Sequence, residues 1–550
     1  MEKKTQRNCT THGGWAPLLI SARGLHEPLP RICYGTVFTE YVLNLEKYYQ
    51  GIDRPLRRCH ASAMVGPLLL VSLAIERRRE KMERGEDRIS NLPNEILQSI
   101  LCLMPLKYAI RTSTLSKRWI HLWQFNLVSS SSLQIDFSDN QSPEQFVATL
   151  DRYLQLHGNR NLDKFGIFFS LFEKFFPKFE NWVRTVLAKR VKELDIDLSQ
   201  GVLNYNRVTY MDDRMPFVMT NSLFNCNSLT HLSLSMCNFS EPFDSTNLVG
   251  LNSLSLDHVN LTDGMLTNIL ENCVSLESIS LKRCDSLEVV EFVGDELKLQ
   301  KLFMVDCRGV DGMEISAPKL ESFVYHGSML FDHDFSDVSK VTDAYFCSGL
   351  DDHDENFLEI LSEFSHLKVL TICSSSLFHV LVEDLYDDED DFPMELRNLL
   401  ELQLVVDLTS EEHLNGIFSF FHLCPLPCLE KLFIQFPSNL DQQYDISDLE
   451  PLDVVFQNLK WIKITNYDGS PHELTLVKYL LEVATVLESI FLVMNQCDIS
   501  KNSLSLRTVQ QQLSILPKAS KDAQIVICGP LDRDCTMNPT HTTFYHQDKY

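Results

Sequence analysis

Catalysis needs reactive side chains at set spacings, and this chain offers the residue types without the spacings. It has 17 histidines and 16 cysteines in 550 residues. It has no G-x-x-x-x-G-K-[ST] phosphate cradle, no G-x-S-x-G elbow, no H-E-x-x-H zinc pair and no G-x-G-x-x-G dinucleotide loop. Cys424 and Cys428 form the tightest cysteine pair, in a loop with Pro425 and Pro427. No second Cys or His pair completes a zinc set around them. Carboxylates crowd at Asp351–Glu355 and Glu383–Asp391. Such density could hold calcium, but the EF-hand spacing and its glycine are missing, so both runs read as loops held open by their own repulsion. No catalytic residue, metal or cofactor is expected. The chemistry that remains is recognition.

Composition narrows the partner. A net charge of −26 repels phosphate backbones and anionic lipid, which argues against nucleic acid and against a membrane surface. The longest apolar run, around Ala63–Ile75, falls short of the ~18 residues that span a bilayer and lies too deep in the chain for a cleaved signal. The scattered cysteines suit reduced thiols packed as small apolar groups, and cytoplasm or nucleus is the expected location.

One stretch carries the densest pattern. From Asp87 to Trp123, Ile89, Leu92, Ile96, Leu97, Ile100, Leu101 and Met104 recur at three- and four-residue steps, an apolar stripe on a helix. Pro93 suits its first turn, Glu95 its positive start, and Pro105 ends it. A short helix from Lys107 to about Thr112 follows, then a third capped by Ser116 and carrying Lys117, Arg118, Trp119, Leu122 and Trp123. Three such helices are too small to bury all this apolar surface among themselves. Something else must cover part of it: a neighbouring domain of the chain or a partner.

The residues Ile-Ser-x-Leu-Pro-x-Glu-Ile-Leu, then Leu-x-x-x-Pro-x-Lys, then Arg-Thr-Ser-x-Leu-Ser-Lys-Arg-Trp and a closing Leu-Trp resemble the F-box of plant F-box proteins in order and spacing. The resemblance implies that Leu92, Pro93, Ile96, Leu97, Ile100, Leu101, Pro105, Leu115 and Trp119 face a Skp-type adaptor, and through it a cullin, in a ubiquitin ligase. It also places an F-box near the amino terminus. With Met82 shortly before Asp87, residues 1–81 are read as an unassigned extension, disordered or an artefact of the gene model.

Behind this stretch a repeat emerges. Leu229-x-x-Leu232-x-Leu234-x-x-Cys237-x-Phe239 fits the leucine-rich template, and units starting at Leu251, Leu276, Leu299, Leu320, Leu367, Leu399, Leu429, Leu459 and Leu487 continue it, with Val191 opening the array. Starts fall 21 to 25 residues apart between 229 and 320 and 28 to 32 apart from 367 onward. Each unit is one strand plus a returning segment, whose leucines stack into a common core. Cys237, Cys284 and Cys307 occupy the small-residue place where the chain turns into that core.

Residues between the leucines face the opposite way. His231, Ser233, Ser255, Lys282, Phe303, Phe433 and Trp461 are the candidates for holding a protein substrate, the three aromatics because aromatic anchors are enriched at interfaces. From Phe456 the chain reads strand, glycine turn, helix, strand. With Gly469 and Glu473 it resembles the FBD module that ends many plant F-box proteins.

The expected class is α/β. A helical F-box (84–128) precedes a linker and helical cap (129–190), a leucine-rich-repeat solenoid (191–455), an FBD module (456–528) and a disordered tail (529–550). The function implied is the non-catalytic substrate-recognition subunit of a Skp-cullin-F-box ubiquitin ligase. The alternative is a repeat protein that binds or senses a ligand without any ligase.

Overall fold

The computed structural model describes residues 89, 92–104, 106–137, 142–169, 173–199, 216–219, 223, 225–327, 332–348, 357–377, 396–406, 411–437, 454–494, 503–529 and 537–542. Residues 1–81, Pro105 and both acidic runs lie outside the described residues. The described chain falls into two compact units: residues up to 126 with 142–147, and 127–137 with those from 148 onward.

In the first unit Pro93 stands just before the helix Asn94–Cys102 rather than in its first turn, with φ −55°. Its carbonyl accepts from the N–H groups of Ile96 and Leu97 at 3.2 and 3.1 Å. Leu97 and Leu101, four apart, form the buried side. The helix Leu106–Arg111 leads into two 3-10 turns, Thr112–Thr114 and Trp119–His121, and then the helix Trp123–Ser129. Ser116 does not cap a third helix with its hydroxyl. Its carbonyl accepts from Trp119 N–H at 3.0 Å, and no side chain caps the turn that follows. Arg118 ties the ends of the unit together: its guanidinium donates to Asn94 Oδ1 at 2.7 and 3.0 Å and to the Leu92 carbonyl at 2.5 Å.

The second unit is a parallel sheet of fifteen strands among the described residues, in sequence order. They are β1 (Ser132–Asp136), β2 (Lys164–Phe168), β3 (Glu193–Asp197), β4 (His231–Ser235), β5 (Ser253–Asp257), β6 (Ser278–Lys282), β7 (Lys301–Val305), β8 (Ser322–Gly327), β9 (Asp343–Ser348), β10 (Val369–Cys373), β11 (Glu401–Val405), β12 (Lys431–Gln435), β13 (Trp461–Tyr467), β14 (Ser489–Met494) and β15 (Gln524–Cys528). Eleven of them sit where the leucine spacing puts them. Leu232 pairs with Leu254, Leu254 with Ile279 and Ile279 with Leu302, so the inward leucines of successive units stack directly.

Repeat length decides how the chain returns. After β6, β7 and β8 the return is a strand, at Val289–Val293, Gly312–Ser316 and Asp332–Ser336, and these pair with one another. The longer units leave room for helices: Phe357–Ser362, Glu411–Leu423 and Pro471–Val483. Met236, His258, Arg283 and Asp306, the first residues after β4 to β7, all take left-handed φ between 50° and 62°. That conformation lets the chain leave the sheet abruptly and bury the next side chain.

Two expected boundaries change. The stretch 129–190 is not a linker with a helical cap: β1 and β2 belong to the sheet, with Leu133, Ile135, Phe165 and Ile167 buried, and the helices Pro143–His157 and Phe176–Leu187 return from them. The segment 456–528, expected as an FBD module, continues the sheet of the repeats. Its strand β13 pairs with β12 in register, Lys431 with Trp461 and Leu432 with Ile462, so it closes the same solenoid.

Glu473 explains the glycine turn in that closing segment. Ser470 Oγ accepts from Glu473 N–H at 3.4 Å, and Glu473 Oε2 accepts from the N–H groups of Asp468, Gly469 and Ser470 at 3.0, 2.8 and 3.1 Å, a capping box on the helix Pro471–Val483. Gly469 has φ +83°, and a Cβ there would stand 2.9 Å from Val509 Cγ2. Burial, aided by the Asp468 carboxyl, pushes Glu473 up to about 9. A carboxyl that holds its proton more tightly folded than unfolded favours the fold most below its ordinary value of 4.5 and loses that contribution as pH rises toward 9. Thermal melts of Glu473→Gln, which keeps the acceptor oxygen and cannot ionise, are therefore expected to show a stability advantage over wild type that widens from pH 6 to pH 9. An advantage that stays constant or narrows over that range refutes this account.

Candidate functional site

Two surfaces carry the candidate residues. Six of the fifteen large hydrophobic side chains that stay exposed among the described residues fall between 96 and 125: Ile96, Leu103, Tyr108, Leu115, Ile120 and Phe125. That concentration makes this short segment the richest in exposed apolar side chains among the described residues. Of the residues the F-box resemblance assigns to an adaptor, Ile96 and Leu115 are each 47% exposed, Pro93 is exposed, and Leu92 and Ile100 are half-buried. Leu97, Leu101 and Trp119 are corrected: all three are buried in the chain itself, the first two because the short helix Asn94–Cys102 packs one side inward, Trp119 from the 3-10 turn Trp119–His121. They support the face and do not present it.

The second surface is the side of the sheet opposite the leucine core. Strand register gathers Ser233, Ser255, Ser280, Phe303, Val324, Tyr345, Thr371, Gln403, Phe433 and Lys463 into one continuous row across β4 to β13. Four sequence candidates, Ser233, Ser255, Phe303 and Phe433, thus share a row. His231 and Trp461 lie on the row of first strand residues, and Lys282 on the row that holds Val305 and Cys347.

Their environments divide along the array. His231 is exposed, while Ser233, Ser255 and Lys282 are half-buried, a polar and accessible stretch. Between β7 and β11 the same face carries an apolar patch: Val305, Val324, Tyr345, Cys347, Cys373 and Val405 form a buried cluster with Phe303 packed against it. Phe433 is corrected as a solvent-facing anchor, being only 3% exposed. Trp461 remains half-buried, with the Lys460 ammonium 5.7 Å from its ring centroid.

Polar groups on this second stretch escaped sequence reasoning. Thr371, Gln403, Glu401 and Lys463 are all buried although they sit on the face expected to meet solvent. The cause is the segment 537–542, expected to be disordered. The N–H of Thr540 donates to Glu401 Oε1 at 2.6 Å, Gln403 Nε2 donates to the His541 carbonyl at 3.1 Å, and Lys463 Nζ donates to the Met537 carbonyl at 2.7 Å. A clue did exist in the sequence, since Thr371, Gln403 and Lys463 on one row, interrupted only by Phe433, ask for polar partners.

The cysteines take the structural role expected of them. Cys237, Cys284 and Cys307 are buried, and Cys284 Sγ lies 3.9 Å from the Leu256 carbonyl of the preceding repeat. Burial pushes the Cys237 thiol up to about 12, far from thiolate chemistry. Cys424 is buried and Cys428 exposed, so the tight pair points two ways.

Comparison with known proteins finds matches along both parts of the chain. The F-box domain family matches residues 89–127, and the family described as At1g61320/AtMIF1, LRR domain matches residues 154–527. The F-box/FBD/LRR-repeat protein At1g78750 of Arabidopsis thaliana is 26% identical over 479 residues, covering 82% of this chain and 98% of that protein. The FBD-associated F-box protein At5g22730 of the same plant is 25% identical, covering 81% of this chain and 95% of that protein. Among solved structures, an internalin from Listeria monocytogenes is similar with a TM-score of 0.24 and 14% identity, covering 60% of this chain and 86% of that one.

Proposed function

This chain belongs to the plant F-box/LRR-repeat family, and we propose that it is the substrate-recognition subunit of a Skp-cullin-F-box ubiquitin ligase. F-box domains generally bind Skp-type adaptors, and leucine-rich repeats generally bind proteins. In this reading the face around Leu92, Pro93, Ile96, Ile100 and Leu115 holds the adaptor, with Pro105 beside it in the motif, and the solenoid holds a protein target in the cytoplasm or nucleus. The chain performs no bond chemistry of its own. It raises the effective concentration of the target's lysines beside a ubiquitin-charged enzyme, an effect of proximity alone.

The observation that supports this most is the division of labour within the F-box match: Ile96 and Leu115 stay open to solvent while Leu97, Leu101 and Trp119 hold their own unit together. An amphipathic surface with a supporting core is what a dedicated partner requires.

Capture of a purified Skp-type adaptor by the immobilised full chain tests the reading. Leu92→Ala with Pro93→Ala is expected to abolish capture while leaving the melting of the repeats unchanged. A folded wild-type chain that captures no adaptor refutes the ligase reading and leaves a repeat protein that binds its ligand without one.

A further inference from the structure

Residues Met537–Thr542 cross the sheet in a distinctive way. Met537, Pro539 and His541 are half-buried while Asn538, Thr540 and Thr542 are exposed, the two-residue alternation of an extended chain lying on a surface. The segment starts at Lys463 on β13, passes Glu401 and Gln403 on β11, and ends at β10 and β9. Four strand spacings of about 4.8 Å separate β13 from β9, a span that five extended residues and a lysine side chain cover.

The contacts sort into two kinds. Three touch only main chain: Lys463 to the Met537 carbonyl, Glu401 to the Thr540 N–H and Gln403 to the His541 carbonyl. These would hold any extended peptide. The remainder read one side chain. His541 Nε2 lies 2.8 Å from Asp343 Oδ1, its Nδ1 lies 2.7 Å from Thr371 Oγ1, and its ring meets Tyr345 edge-on at 5.7 Å between centroids. The Asp343 carboxylate stands at ion-pair distance from the ring, without the alignment of a hydrogen bond. Main-chain bonds for affinity plus a pocket for one side chain is the division found where folded domains recognise extended peptides.

The array has no packing need for such a site. Glu401 and Thr371 also meet Lys431 and Gln403 within the sheet, but a covering segment that only hid apolar surface would leave the Lys463 ammonium and the Gln403 amide N–H without the carbonyls they reach, and buried polar groups must be matched one by one. A short segment held by five polar contacts and one ring contact also binds weakly for itself and stays in place through tethering, which a peptide in trans can overcome.

We propose that β9 to β13 form a groove for an extended peptide that presents a histidine to Asp343, Thr371 and Tyr345, and that residues 537–542 fill it in cis until such a segment of the target displaces them. The proposal rests on the reading of the solenoid as the target-binding element, and it names both the chemistry of the target and the regulation of access.

The full chain serves for the test, with the labelled hexapeptide Met-Asn-Pro-Thr-His-Thr as probe in fluorescence anisotropy. His541→Asp places a carboxylate against Asp343 and should release the segment. Thr540→Pro removes the N–H that Glu401 accepts and should do the same without a charge. Both variants are expected to bind the peptide at least tenfold more tightly than wild type. Adding Asp343→Ala, or replacing the peptide's histidine by alanine, should reverse that gain at least tenfold. Two folded variants that bind no peptide overturn the proposal. Collapse of the repeat array in both variants also overturns it, because the segment is then structural. Adaptor capture, measured in parallel, keeps the two readings apart: peptide binding lost with capture intact sinks the groove alone, and capture lost with peptide binding intact sinks the ligase reading alone.

Discussion

Ile96→Asp combined with Leu115→Asp is expected to weaken adaptor binding by about 100-fold or more while the chain melts as wild type does. Both side chains are 47% exposed, so neither is held by packing within the chain, and a surface aspartate costs the fold little. In a complex the same two positions would be desolvated. Each carboxylate would then lose its water without gaining a partner, and truncating even a neutral anchor at such a site costs about 2 kcal/mol or more. Leu97→Ala and Trp119→Ala should behave oppositely. They are buried at 0% and 1%, and cavity formation there costs about 3 kcal/mol, seen as a lower denaturation midpoint of their unit. Titrating purified adaptor against the three variants, with a melting curve for each, separates binding from folding. If the Leu97 and Trp119 variants lose adaptor while keeping full stability, the division between face and core is wrong.

How much of this could be read from the chain depends on which residues announce themselves. Leucines at fixed spacing fix the strands, because an inward position of a solenoid tolerates few alternatives to an aliphatic side chain. Three of the four strands missed lack a large apolar residue at one template place, Ala344 in β9, Ser130 ahead of β1 and Asp522 ahead of β15, whereas β2, with Leu162-x-x-Phe165-x-Ile167, fits the template as well as the unit at Leu320 does. Ala344 is still fully buried because larger residues share its side of the sheet, Phe346 two residues on and Phe323 beside it on β8, a compensation that no local template contains. On the candidate surfaces, helical period separated the apolar from the polar side of the first helix but not the half that packs inward from the half left open. That split depends on what the other turns of the unit cover, and Arg118, which ties Asn94 and Leu92 to the far end of the unit, sits 24 and 26 residues away from them. Phe433 and the segment 537–542 show the same limit over a longer range. Thr371 and His541 lie 170 residues apart, and nothing in their local sequence couples them.

Gly416→Ala should destabilise the chain by about 3 kcal/mol, against the usual sign for this substitution in a helix. Gly416 sits inside Glu411–Leu423, where alanine ordinarily gains about 1 kcal/mol over glycine by restricting the unfolded chain. Here a Cβ would stand 2.2 Å from the Leu377 carbonyl oxygen and 2.8 Å from its carbon. Both atoms are backbone, in the 3-10 turn Ser375–Leu377, all three residues of which are buried, so no flexible side chain can give way. The helix would have to retreat, and overpacking of this kind costs more than the propensity gain returns. Gly264 supplies the control: it lies in the helix Asp263–Asn272 with nothing within 4 Å of its added Cβ, and Gly264→Ala should raise stability by about 0.5 to 1 kcal/mol. Denaturant titrations of the two variants carry the comparison. Equal stabilisation by both would mean that the helix Glu411–Leu423 does not approach the turn as closely as described. Opposite signs would show that this repeat owes its fit to the absence of one methyl group, and that its glycine is a packing requirement and not a flexible joint.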